Sequence, residues 1–455
     1  VSYRLGALGF MTGTDPARPG TGGMNGIFDN VVALRWLQKY VSHFGGDPGQ
    51  VTIFGQSSGA YSLCTLCVAP DARGLFKRAG LLSGPCFGGP ASRGWGPRSA
   101  ELGRNVSEQI LAAHGSGRDL ASLRGLPAEN VQWPAEWLSD LTKAPSFSGY
   151  FEDTAVLPLP ADELWRRGAI VPEEVMVSCT SKDGTGAFYG LAPTLGLIGP
   201  DENTNTSGGY DSKMRAAWGA DAEDVLRQYP LTDYPSAPAA FIQADADAYV
   251  ICPSRRVARY AARAGRRVWV AEFAHFQPSP SQPMGCSGYG PQGCQGFGCD
   301  NGVELDVVPG RHVTHQTELW ASHGGDVKFV FGTETGPDGL GPPSNLSHCE
   351  FDADERQLSR TVMAHWAAFA RHGNPNAGLA LEQLSWPSAE VRADGQVDIS
   401  RMRFSVEATD GALTGLRAGM HDHNCDFWDT LYPEGPLDAA KVIQEPRVAG
   451  FTEWV

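Results

Sequence analysis

The sequence predicts an α/β fold, a mostly parallel central sheet flanked by helices, and three observations point to it. Val51 to Phe54 is a short β-branched and aromatic run that stops at Gly55, the pattern of a buried parallel strand. Helical patterning lies on both sides of that run, which is the grammar of an α/β chain. The composition supplies a large core: 42% of 455 residues are hydrophobic and 19% are charged, unlike a disordered chain. Large α/β folds hold this many residues as one unit, so residues 1–455 are expected to form a single domain.

The elements follow in order. Val1-Ser2-Tyr3-Arg4-Leu5-Gly6 reads as the tail of a strand entering a turn, without an initiator Met, so earlier strands are expected to be missing from the chain and to leave a sheet edge exposed. Asn25 to Phe44 carries Val31, Val32, Leu34, Leu37 and Val41 near helical spacing, and Gly45-Gly46-Asp47-Pro48 breaks it. After the strand and Gly55, Ala60 to Cys67 suits a buried helix. Residues 278–302 are rich in Pro, Gly and Ser with three cysteines, and read as an inserted surface loop stapled by disulfides. Leu358, Val362, Trp366 and Phe369 mark a helix from Glu355 to Ala370, closed by Gly373-Asn374-Pro375.

Charge and cysteine usage narrow the function. Lys+Arg 36 against Asp+Glu 51 gives −15, which argues against nucleic acid or an anionic membrane as main partner. No apolar run is long enough to span a membrane. Ten cysteines and three N-x-[ST] sequons, at Asn105, Asn205 and Asn345, favour a secretory compartment, with glycosylation at those asparagines. No phosphate-loop or dinucleotide signature appears, and no cofactor or metal is expected.

The chemistry centres on Gly55-Gln56-Ser57-Ser58-Gly59. With 56 glycines in the chain the G-x-S-x-G pattern alone decides little, so its context matters. A serine hydroxyl needs a base to take its proton and donors to hold the developing oxyanion. A sharp strand-to-helix turn lifts Ser57 clear of the sheet, and glycines two before and two after give the backbone room to close. The turn also aims the Ser58 amide at the reacting carbonyl oxygen, at a helix N-terminus that favours negative charge.

Longer blocks then carry a resemblance. "GIFDNVVALRWLQKYVSHFGGDPGQVTIFGQSSGA", "GLFKRAGLLSG", "LRGLPAENV", "GAIVPEEVMVSCTSKDGT", "HGGDVKFVFG", "VMAHWAAFARHGNPN" and "NCDFWDTLYP" resemble the type-B carboxylesterase and cholinesterase-like family, a group of α/β-hydrolases. The resemblance spans nearly the whole chain except the cysteine-rich insertion. It implies a serine hydrolase that cleaves small-molecule carboxylic esters through an acyl-enzyme. His323, before the strand-like Phe329-Val330-Phe331-Gly332, matches the catalytic-histidine loop of the family. The family places a Glu in a loop reading Asp-Glu-Gly-Thr; here the loop is Lys182-Asp183-Gly184-Thr185. Read without a gap, Gly184 takes the Glu position; read with one residue deleted, Asp183 replaces the Glu. The second reading gives the order Ser57, Asp183, His323, which agrees with the α/β-hydrolase order.

The resemblance also implies a Cys252–Cys425 disulfide, and by analogy Trp95 as an acyl-pocket residue. Gln56 stands where the family usually has Glu, and Ser58 where it usually has Ala. The family's His-Gly-Gly oxyanion loop would lie before Val1, so the chain as given is expected to be poorly active. A second hypothesis is a non-catalytic adhesion or binding domain of the same family; retention of Ser, acid and His together is the feature that discriminates, and Ser57 and His323 are the two of the three that the sequence shows clearly. An amidase or acyltransferase would use the same triad. Cys64-Thr65-Leu66-Cys67 mimics a redox or zinc pair, but apolar packing on a buried helix is the expectation. His421-Asp422-His423-Asn424-Cys425 has metal-ligating residue types, without a further signal for a metal.

Overall fold

The computed structural model describes residues 1–11, 24–87, 100–114, 156–183, 207–234, 237–275, 321, 323–333, 351, 353–379, 385–406 and 414–433, with short pieces at 122–123, 125–128 and 131. Trp95, Asn205, Asn345, Gly184 and the 278–302 insertion lie outside the described residues.

The strands are β1 (Thr52–Gln56), β2 (Arg78–Leu82), β3 (Glu174–Thr180), β4 (Arg267–Phe273), β5 (Glu390–Val391), β6 (Val397–Asp398), β7 (Ser400–Phe404) and β8 (Gly415–Ala418). Among the described residues one sheet runs in the order β1-β2-β3-β4-β7-β8. Its first five members are parallel neighbours, and β8 returns antiparallel beside β7. β5 and β6 form a separate antiparallel ribbon.

The helices are α1 (Gly6–Phe10), α2 (Asn25–Tyr40), α3 (Ser58–Leu66), α4 (Ala100–Ala113), α5 (Ala161–Arg166), α6 (Ser207–Trp218), α7 (Ala222–Gln228), α8 (Ala237–Ala246), α9 (Cys252–Arg263), α10 (Val327–Phe331), α11 (Ala353–His372) and α12 (Asp422–Leu431). They cover both faces of the sheet, and strand alternation explains how. Val175, Val177 and Cys179 of β3, with Val268 and Val270 of β4, join a cluster that holds Ile27 and Val31 of α2, Leu63 of α3, Trp165 of α5 and Val257 of α9. The intervening Met176, Trp269, Ala271 and Phe273 join Met402 and Phe404 of β7 against Leu358, Val362, Trp366 and Phe369 of α11. Side chains on a strand alternate faces, so β3 and β4, buried at nearly every position, are covered on both sides, as parallel sheets are.

Local sequence accounts for most boundaries. α2 passes into a 3-10 turn at Val41–Phe44, and Gly45 at φ 80 ends it. α11 stops where Gly373 turns to φ 65 and its amide bonds Phe369 O at 2.7 Å. Two expectations are corrected. Residues 1–5 are not a strand; Gly6 at φ 56 leads into the short α1, and Arg4 bonds Asp29 of α2 instead of a strand partner. The stretch Phe329–Phe331 is the end of helix α10, because Val330 N bonds Asp326 O at 3.0 Å and Gly332 at φ 64 closes the turn. A short apolar run reads the same way in either state.

Among the described residues there are two disulfides. Cys252 of α9 and Cys425 of α12 are joined, with Cα atoms 5.0 Å apart. Beside them Arg255, fully buried, donates to Asp422, Asp426 and Asp429 of α12. Cys64 of α3 packs in the apolar core as expected, and it is in addition bonded to Cys86. Cys67 is a buried free thiol whose titration burial pushes upward. Asn105 is exposed on α4, while Ser107 of the same sequon is buried and bonds Gly103 O.

Candidate active site

Ser57 follows β1, Ser83 follows β2 and Asp183 follows β3, so all three sit beyond the carboxyl ends of neighbouring parallel strands, where open α/β sheets form their crevices. The Ser57 backbone is at φ 56, ψ −124, a region that costs a non-glycine residue about 1–3 kcal/mol. Two hydrogen bonds hold it there: Ser57 N to Leu82 O at 2.9 Å, and Tyr61 N to Ser57 O at 2.9 Å. Gly55 is required by the turn, since a Cβ there would lie 2.5 Å from the Gly59 carbonyl carbon. Gly84 is required by a second close approach, its Cβ falling 2.4 Å from Ser57 O. Gly59 is different: a Cβ there meets nothing within 4 Å among the described residues, so the steric reason expected for the second glycine is absent. Ser58 is exposed and opens α3; a first-turn amide has no acceptor four residues earlier in its own helix.

Asp183 is 1% exposed and its two oxygens are divided between partners. Oδ1 lies 2.6 Å from His323 Nδ1. Oδ2 accepts the Thr180 amide at 2.8 Å and the Ser83 hydroxyl at 2.7 Å. Of the two register readings, it is therefore Asp183 that the structure brings to His323. The neighbouring Lys182 ammonium donates to Gln243 Oε1 at 2.7 Å. Burial pulls the His323 imidazole down, but the Asp183 hydrogen bond, the Asp183 charge and the Asp326 charge outweigh it, and the ring titrates above its ordinary value. Asp326, 2% exposed, is pushed up to about 7 by burial and then by the Asp183 charge.

The other ring nitrogen, His323 Nε2, lies 3.3 Å from Gln56 Nε2. No hydrogen bond joins it to Ser57 Oγ among the described residues. With Nδ1–H given to the Asp183 carboxylate, Nε2 carries the lone pair of a neutral ring, the atom a base needs.

Ser83, Gln56 and Asp326 were not singled out as site residues by sequence reasoning. The signal for Ser83 was its place after an apolar strand, next to a glycine, in "LLSG"; nothing local ties it to a carboxylate 100 residues later. Among the described residues no group of His, Cys, Asp and Glu is arranged to hold a metal ion. His421 is held instead by Asp247 and Glu272, each at 2.9 Å.

A family model described as the carboxylesterase family matches residues 1–428. Acetylcholinesterase from Danio rerio is 27% identical over 467 residues, an alignment that takes in 95% of this chain and 66% of the relative. The chain therefore spans 66% of that relative's length. Among the described residues no helix is long and apolar enough to cross a membrane. With a match over nearly its whole length, and with the mostly parallel, helix-flanked sheet of an α/β-hydrolase, the chain belongs to the carboxylesterase family.

Proposed function

We propose that the protein is a serine carboxylic-ester hydrolase, with Ser57 as nucleophile, His323 as general base and acid, and Asp183 as the carboxylate that orients the ring. The observation that carries this reading is the position of the His323 imidazole. Nδ1 is 2.6 Å from Asp183, and Nε2 is 3.3 Å from the side chain of the residue immediately before Ser57.

In this mechanism Nε2 takes the Ser57 proton as Oγ attacks the ester carbonyl carbon. The carbonyl oxygen becomes an oxyanion, and the Ser58 amide donates to it. The imidazolium then gives its proton to the leaving alcohol as the C–O bond breaks, leaving an acyl-serine. A water loses a proton to Nε2, attacks the acyl carbon and releases the acid and free Ser57. Asp183 keeps the ring oriented and stabilises the imidazolium that forms. The two donors on Asp183 Oδ2, the Ser83 hydroxyl and the Thr180 amide, leave Oδ1 for the ring.

The substrate class is a small-molecule carboxylic ester, consistent with the family and with the esterase named among its relatives. The disulfides Cys64–Cys86 and Cys252–Cys425 support a secreted or secretory-pathway protein. A serine-reactive phosphonate should label Ser57 in the folded protein, and Ser57→Ala should abolish both labelling and turnover of a p-nitrophenyl ester. Labelling confined to another residue, with turnover surviving in the variant, would overturn the assignment.

A further inference from the structure

We infer that Gln56 is a positioning residue for His323, a neutral carboxamide that holds the ring by Nε2 in both of its protonation states. The inference rests on the esterase reading above for its consequence, but its geometry stands alone.

Three observations support it. First, the Gln56–His323 contact is made at Nε2, 3.3 Å from the amide nitrogen, and not at a ring carbon. Second, Nδ1 is already engaged with the Asp183 carboxylate at 2.6 Å, so in the neutral ring Nε2 is an acceptor and the Gln56 amide must donate to it. Third, Gln56 cannot drift from the nucleophile. It is the last residue of β1, in register with Leu82, whose carbonyl accepts the Ser57 amide at 2.9 Å. On the other side of the contact Gly324, at φ 81, brings the histidine loop over the amide, where even a Cβ would be in ordinary contact with Gln56 Nε2 at 3.5 Å.

A carboxamide has a donor end and an acceptor end. Its N–H serves the lone pair of neutral imidazole; after a half-turn about its last torsion, its C=O accepts the N–H of imidazolium. A carboxylate at this position has only acceptors, and so favours imidazolium alone. The charged groups facing His323 among the described residues are Asp183, from the loop after β3, and Asp326, from its own segment. A third carboxylate, the residue type the family usually carries at this position, would raise the titration of the ring further. Gln56 therefore supports the ring without adding charge, and it releases Nε2 to the Ser57 hydroxyl by rotating a side chain instead of moving a loop.

The test compares Gln56→Glu and Gln56→Leu with the parent protein. His323 is titrated directly by the NMR signals of its imidazole, and the pH profile of kcat/KM is measured on the same samples. Gln56→Glu is expected to move both the His323 titration and the acid limb of kcat/KM up by about 1 pH unit. Gln56→Leu is expected to lower kcat about tenfold with KM unchanged, because it removes donor and acceptor together. Circular dichroism and the thermal midpoint identify a variant that fails to fold; Gln56→Asn then replaces it and should show intermediate kcat loss. An unmoved His323 titration in folded Gln56→Glu protein overturns the inference, whether or not the protein hydrolyses esters. A parent protein without turnover counts against the esterase reading alone, since the NMR titration does not depend on it.

Discussion

His323 and His421 are each paired with a carboxylate through Nδ1, and they differ in what meets the other nitrogen. His323 has one carboxylate in hydrogen-bond contact, Asp183 on Nδ1, and a neutral amide on Nε2. His421 has a carboxylate on each nitrogen, Asp247 on Nδ1 and Glu272 on Nε2, both at 2.9 Å. Burial pulls His421 down, yet the charges and hydrogen bonds of Asp247 and Glu272 push it up to about 10. Glu272 is held at about 2 despite its burial, with His421 and then Arg401 opposing the cost. The difference teaches that the second partner decides the role. A ring with two anions is a fixed cation near neutral pH, which ties β4 to α12. A ring with one anion and one dipole keeps a lone pair that chemistry can use.

The comparison breaks most visibly at the first carboxylate. Asp183→Asn is expected to lower kcat roughly 10⁴-fold with the fold intact, since the amide no longer fixes the tautomer that puts the lone pair on Nε2. Stopped assays on protein with an unchanged circular dichroism spectrum check this. Next in size is the fixed cation. His421→Leu leaves Asp247 and Glu272 facing each other across a buried site, and should cost about 3–5 kcal/mol of stability in urea unfolding. The same group sets a pH slope with a definite sign. A folded-state value raised to about 10 means the stabilisation is complete below the ordinary imidazole value of about 6.5 and is lost as pH climbs toward 10. The urea midpoint should therefore fall across that window in the parent protein and fall less in His421→Gln. The smallest effect sharpens the catalytic side: Ser83→Ala removes one donor from Asp183 Oδ2 and should lower kcat about tenfold, with KM unchanged.

What could be read from the residues was what local chemistry dictates. The strand, Gly55, Ser57 and helix α3 are consecutive, so one stretch of chain contains the whole turn. Leu358, Val362, Trp366 and Phe369 sit at helical spacing on α11 and are all buried. The parts that escaped depend on contacts between distant segments. Ser83 acquires its role only when β2 and β3 pair in register. Cys64 and Cys67 read locally as a pair, but the bonded partner of Cys64 is Cys86, which arrives from the segment after β2 and is invisible to local spacing. Gly59 looked like half of a steric pair; the crowding is all at Gly55. α10 was mistaken for a strand because its five residues carry no period long enough to separate the two states.

The covalent link from α3 to the segment after β2 has a mechanical consequence. Cys64 rides on the helix that Ser57 begins, and Cys86 follows three residues behind the hydroxyl that steadies Asp183. On the proposed mechanism the attacking group and the support of the acid are thereby yoked: a displacement of one by a bulky acyl chain is expected to be carried to the other through the disulfide, where two free loops would separate.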